Sequence, residues 1–131
     1  MPKFIHTMIR VLDLERSITF YRKAFAFEES YRLDFSNFTL VYLRNSETSA
    51  EIELTLNKER TEPYDLGDGY GHVAFVVDDL DETHTQFTTD GLEPKDIVDF
   101  APDGEQIARF FFCTDPDGYS IEVLQKHGHF K

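Results

Sequence analysis

At 131 residues the chain is long enough for one compact domain with a core that needs no staples. Its formal net charge of −12, from 25 acids against 13 bases, leaves no basic surplus for a phosphate backbone, so nucleic-acid binding is disfavoured. No apolar run reaches the length of a membrane span, Met1-Pro2-Lys3 opens no signal-like segment, and the lone Cys113 allows no intrachain disulfide; a soluble, cytoplasmic protein is expected.

Residues 4–11 alternate as a strand, with Ile5, Thr7, Ile9 and Val11 on one face and Phe4, His6, Met8 and Arg10 on the other. Asp13 suits the N-cap of a following helix, whose stripe is Leu14, Ile18, Tyr21 and Phe25. Residues 28–33 and 38–44 read as strands, 45–49 as a polar turn, and 50–56 as another strand. In that last strand Ile52, Leu54 and Leu56 face one way, and Glu51, Glu53, Thr55 and Asn57 the other. Residues 59–70, rich in charge with Pro63 and glycines, form a connection. The pattern then restarts: a strand from His72 to Val77, a helix capped by Asp79 and ended by Gly91, and strands near 95–99, 107–113 and 120–125. Asp115-Pro116-Asp117-Gly118 marks a tight turn before the last strand. Each half reads β-α-β-β-β, one over about 1–58 and one over about 71–126, within a single α+β domain spanning 1–131.

The restart is a repeat in register. Counting from His6 and from His72, Val11 matches Val77, Asp13 matches Asp79, Leu14 matches Leu80, and Tyr21 matches Phe87, with no gap. Each half also closes on a glutamate between apolar neighbours, Ile52-Glu53-Leu54 and Ile121-Glu122-Val123. Shared strand–helix architecture accounts for the apolar matches. It gives no reason for a polar histidine to fall in register twice. Singly, each His or Glu reads as the solvent side of a half-buried strand. Together, His6, Glu53, His72 and Glu122 make a plausible ligand set for one divalent metal, with two octahedral positions left for water or substrate. Open positions imply catalysis, and a metal that polarises a carbonyl suits proton abstraction beside it. Arg10 shares a face with His6, and Asn57 shares one with Glu53. Cys113 reads as core, and His127 and His129 as parts of a solvated tail.

The segments His6-Thr-Met-Ile-Arg-Val, Arg16-Ser-Ile-Thr-Phe-Tyr, Ile52-Glu-Leu-Thr-Leu-Asn, Tyr70-Gly-His-Val-Ala and Asp115-Pro-Asp-Gly-Tyr-Ser-Ile-Glu occur in order along nearly the whole chain. With them the chain resembles glyoxalase I (lactoylglutathione lyase) of the vicinal oxygen chelate superfamily. That resemblance implies paired βαβββ modules forming a curved mixed sheet. It also implies a homodimer in which His6 and Glu53 of one chain meet His72 and Glu122 of the other around one metal. The implied reaction isomerises the methylglyoxal–glutathione hemithioacetal to S-lactoylglutathione through a metal-stabilised enediolate, with Glu122 as base and Glu53 as the second carboxylate. Arg10 and Asn57 match positions that hold the γ-glutamyl end of glutathione. His6 and the short length resemble the branch activated by Ni²⁺ or Co²⁺; Zn²⁺ and Mn²⁺ are further candidates.

The chain departs from the family pattern in two places. Lys58-Glu59 follows Asn57 where relatives often carry Trp-Gly, and residues 99–105 are acidic where relatives carry a Lys- and Gly-rich loop. Two other readings keep the fold. One is a metalloenzyme for another thiol adduct, an epimerase or a dioxygenase. The other is a non-catalytic protein that binds a small molecule. The dioxygenase reading uses three protein ligands, so a fourth at Glu53 argues against it.

Overall fold

The computed structural model describes residues 1–131, which divide into two compact units, Met1–Asp65 and Leu66–Lys131. The first unit runs β1 (His6–Arg10), α1 (Leu14–Phe25), β2 (Glu28–Asp34), β3 (Phe38–Arg44) and β4 (Glu51–Asn57). The second runs β5 (Val73–Val77), α2 (Leu80–Thr89), β6 (Val98–Phe100), β7 (Ala108–Thr114) and β8 (Ser120–Gln125). Both follow the β-α-β-β-β order read from the sequence. The expected mixed sheet is present as one four-stranded sheet per unit, ordered β1-β4-β3-β2 and β5-β8-β7-β6. The first and last strands of each unit pair in parallel, and the other pairs are antiparallel.

This order follows from the connections. Tight turns join β3 to β4 and β7 to β8, so those strands pair antiparallel. The helix after the first strand carries the chain across the sheet and leaves that strand's edge for the parallel return of the last one. Both helices begin where the aspartates predict: Asp13 accepts from the Arg16 N–H at 3.0 Å, and Asp79 from the Glu82 N–H at 2.9 Å. Each bond satisfies one donor that the first helical turn leaves open. The α1 helix ends on Ala26 in the left-handed region, whereas Gly91, with φ of +72°, follows α2.

One face of each sheet is packed against its helix. Val11, Ile18, Tyr21, Val41, Leu43 and Leu54 are buried in the first unit, and Leu80, Phe87, Phe111, Ile121 and Val123 in the second. The rings of His84 and Phe87 both meet Phe111 edge-on, at 5.1 and 5.4 Å. The turn before β8 is built around Asp115. Its carboxylate accepts from the Asp117 and Tyr119 N–H groups, while Gly118 supplies a φ of +92°.

Strand ends differ modestly from the sequence reading. The strand expected at 95–99 is the shorter β6, because Pro94 offers no N–H and Glu93 sits at φ +53°. Only the Lys95 N–H reaches Phe112 before regular pairing begins at Val98. His72 lies one residue ahead of β5. His127 and His129 are exposed in a short turn closed by backbone bonds between His127 and Phe130. No helix is long and apolar enough to cross a membrane.

Candidate metal centre

The parallel register places the two histidines alike. Met8 stands opposite Glu53, and His6 comes two residues earlier on the same face. Ala74 stands opposite Glu122, and His72 likewise comes two residues earlier. The strand period of two makes each His and Glu neighbours on the face not covered by the helix. The His6 Nε2 lies 3.7 Å from a Glu53 carboxylate oxygen, and the His72 Nε2 lies 2.9 Å from one of Glu122. The side chains of Glu53 and Glu122 are only 14 % and 16 % exposed, so both carboxylates are partly withdrawn from water.

These pairs suit a cation. Two donors each about 2.1 Å from one metal and at right angles lie about 3 Å apart, and wider angles open the gap. Imidazole nitrogen with carboxylate oxygen is a donor set for first-row divalent ions of borderline character. Neither unit gathers three such donors by itself. Each brings two, and both pairs fit the group.

The neighbouring antiparallel strands add two residues that sequence reasoning missed. Tyr42 stands opposite Glu53, and Phe112 opposite Glu122. The Tyr42 ring meets the His6 ring edge-on with centroids 5.7 Å apart, and Phe112 meets His72 in the same way at 5.3 Å. The Glu53 carboxylate facing it across the ladder pushes the Tyr42 hydroxyl pKa up to about 12, with desolvation adding to the effect. The turn lengths held the signal for both residues. Closing the hairpin at Asn45–Ala50 pairs Arg44 with Glu51, and counting back puts Tyr42 against Glu53.

Alternation along β4 puts Thr55 on the Glu53 face. Its hydroxyl is buried and has no hydrogen-bond partner, between Glu53 and Asn57 along β4. The Asn57 amide donates to the Tyr64 hydroxyl at 3.1 Å, and Arg60 stacks over the Tyr64 ring at 4.4 Å. Arg10 is exposed at the end of β1 on the His6 face. Cys113 is buried on the helix side of β7, where desolvation and then the nearby Asp115 push its thiol up to about 11. It is core, as its surroundings in the sequence suggest.

The acidic loop is also resolved in detail. Arg109 is bound by both oxygens of Asp81, at 2.7 and 3.0 Å, and by Asp99 at 3.0 Å. Its charge is therefore already matched by two acids, and little of it remains to balance Asp103 and Glu105.

Two mixed sheets of this order, each with a His–Glu pair across its parallel strands, define a duplicated βαβββ fold. Comparison with known proteins agrees. The family model for the Glyoxalase/Bleomycin resistance protein/Dioxygenase superfamily matches residues 3–123. A lactoylglutathione lyase of Neisseria meningitidis serogroup A is 38% identical over 128 residues, covering 95% of this chain and 91% of that protein. The solved structure of Leishmania major glyoxalase I, described as trypanothione-dependent, superposes with a TM-score of 0.78 at 33% identity, covering 96% of this chain and 88% of that one. Glyoxalase I from Zea mays superposes with a TM-score of 0.77 at 29% identity, and this chain spans 45% of its length. The chain belongs to the Glyoxalase/Bleomycin resistance protein/Dioxygenase superfamily and, within it, to the glyoxalase I (lactoylglutathione lyase) family.

Proposed function

We propose that this glyoxalase I-like lyase isomerises the hemithioacetal of methylglyoxal and glutathione to S-lactoylglutathione, using one divalent metal per site held by His6, Glu53, His72 and Glu122. The observation that carries this reading is the duplicated His–Glu pair, set in one register in both units of a chain whose relatives are lactoylglutathione lyases. Since each unit contributes two donors, the full set needs a pair from each, and a homodimer that brings the pairs together across chains is part of the proposal. Ni²⁺ is the proposed metal, with Co²⁺, Zn²⁺ and Mn²⁺ as competitors, because borderline ions accept mixed imidazole and carboxylate donors in six-coordinate sites. A reducing cytoplasm, where the buried Cys113 stays a thiol, is the proposed setting.

A bound divalent ion supplies Lewis acidity, lowering the cost of negative charge on the substrate oxygens. The chain supplies the proton chemistry. Glu122 takes the proton from the carbon that bears sulfur and hydroxyl, and returns it to the adjacent carbonyl carbon. The hydroxyl proton passes to the former carbonyl oxygen, which becomes the lactoyl hydroxyl, and the sulfur-bearing carbon becomes the thioester carbonyl. The step is a hydrogen shift, so no external oxidant or reductant enters. The partial burial of Glu122 keeps water from competing for that proton. Arg10 and Asn57 are proposed to hold the γ-glutamyl end, Asn57 being oriented by Tyr64. Thr55 offers its unpartnered hydroxyl beside them.

One observation favours a variant of this reading. With Arg109 engaged by Asp81 and Asp99, the loop at 99–105 stays acidic. An anionic glycyl carboxylate there loses affinity. A thiol that is neutral or cationic at that end would be accepted by the same metal centre. The test of the shared mechanism is Glu122→Gln. Turnover should fall by at least about a hundredfold, while the Ni²⁺ content measured by elemental analysis stays near the unsubstituted protein's. Retained turnover would remove Glu122 from the proton transfer.

A further inference from the structure

The polar groups at the far end of β4 are not all used by the chain. Asn57, the last residue of β4, shares the open face with Glu53 and Thr55. Its Nδ2 donates to the Tyr64 hydroxyl at 3.1 Å, and its Oδ1 accepts from no group of the chain. The Tyr64 oxygen takes that bond as an acceptor, and its own proton is donated to no group of the chain. One acceptor and one donor, set a hydrogen bond apart, therefore remain open side by side.

Arg60 holds this pair in place. Its guanidinium lies over the Tyr64 ring at 4.4 Å and donates to the carbonyls of Glu62 and Pro63 at 2.7 and 2.9 Å. Its backbone N–H donates to the Asn57 carbonyl at 3.0 Å, so one residue ties both ends of the loop from 57 to 64. Lys58, where relatives often carry Trp, is engaged by Asp34 at 2.8 Å and by the Phe35 carbonyl at 2.6 Å, which leaves the Tyr64 ring to Arg60.

We propose that Tyr64 is a substrate-binding residue whose hydroxyl donates to the α-carboxylate of a γ-glutamyl group, while the Asn57 Oδ1 accepts from its α-ammonium, and that Arg60 is the positioning residue for both. The inference rests on the assignment of Asn57 to the γ-glutamyl end and deepens it by giving each half of that zwitterion its own partner. A zwitterionic amino-acid end needs one donor and one acceptor together. A bare acid or a bare amine leaves one of them unpaired and loses affinity. The reach also fits. Asn57 stands four residues beyond Glu53, about 13 Å along a strand. An extended S-alkyl γ-glutamylcysteine spans on the order of 10 Å from the carbon on sulfur to the glutamyl α-carbon.

The experiment measures binding of S-methylglutathione by calorimetry to the unsubstituted protein, Tyr64→Phe and Arg60→Met. S-methyl-γ-aminobutyrylcysteinylglycine, which lacks only the α-carboxylate, is measured alongside, and thermal melting reports any general loosening. Tyr64→Phe should weaken S-methylglutathione about tenfold and leave the affinity of the analogue and the melting temperature unchanged. Arg60→Met should weaken S-methylglutathione by at least about threefold, again without changing the affinity of the analogue. Undiminished S-methylglutathione binding by either variant, or an equal loss for both ligands, would overturn the assignment. So would an unsubstituted protein that does not bind S-methylglutathione. A Tyr64-dependent preference for the α-carboxylate, in protein that isomerises no hemithioacetal, would uphold the assignment and overturn the catalytic reading alone.

Discussion

Glu53 and Glu122 are each flanked by apolar residues that point into the core, so strand alternation alone sends both carboxylates to the open face. Their alternation and that of His6 were legible in the sequence. The pairing across strands was not, because a helix and two strands lie between β1 and β4 and between β5 and β8, so no single turn carries their register. Tyr42 and Phe112 show the same limit. Their alternation could be read, but the residues facing them could be named only by carrying the hairpin turn through to its register. Cys113 gives a direct check at this scale. Buried beside Asp115, with its thiol raised to about 11, it should resist a thiol-specific reagent at pH 8 in the folded protein and react on denaturation. Because the folded thiol holds its proton more tightly than the unfolded one, its contribution to stability is complete below about pH 9 and is lost as pH rises through about 11. Rapid labelling of the native protein would contradict this placement.

At the scale of elements, caps and turns carried the legible signal. Asp13 and Asp79 stood out as N-caps because a short acidic side chain preceding an apolar stripe can satisfy the open first turn, and both do so. Asp79→Ala should therefore cost about 1 kcal/mol of stability, read as a lowered urea midpoint, with the metal pairs unaffected. An unchanged midpoint would mean that water serves the first turn of α2 equally well. The weak strand β6 was the hardest element to bound. Three residues with exposed side chains have no apolar alternation to mark their ends, and the bend at Glu93 and Pro94 removes the regular start. Where burial is one-sided and strong, as in β4 and β8, sequence and structure agree closely in their bounds.

At the scale of the whole chain, the duplicated unit organises everything else. Two copies of one β-α-β-β-β plan carry their His–Glu pairs at equivalent register positions, so a single repeated arrangement explains both pairs. The repeat makes the fold and the ligand candidates legible in the sequence itself. Substrate preference is a different matter. It depends on how charges such as Arg109 are already spent, and sequence cannot show that Asp81 and Asp99 both bind it. The high net charge of −12 adds a general bias against anionic ligands, which salt should weaken. The central claim is metal-dependent isomerisation, and it is tested most directly by assaying the hemithioacetals of methylglyoxal with glutathione and with a thiol amidated at its glycyl end. The metal-free protein is compared with protein reconstituted with Ni²⁺, Co²⁺ or Zn²⁺. The account predicts thioester formation that requires metal and is greatest with Ni²⁺ or Co²⁺, and the acidic loop predicts a lower KM for the amidated thiol. Metal-bound protein that turns over neither adduct would contradict it.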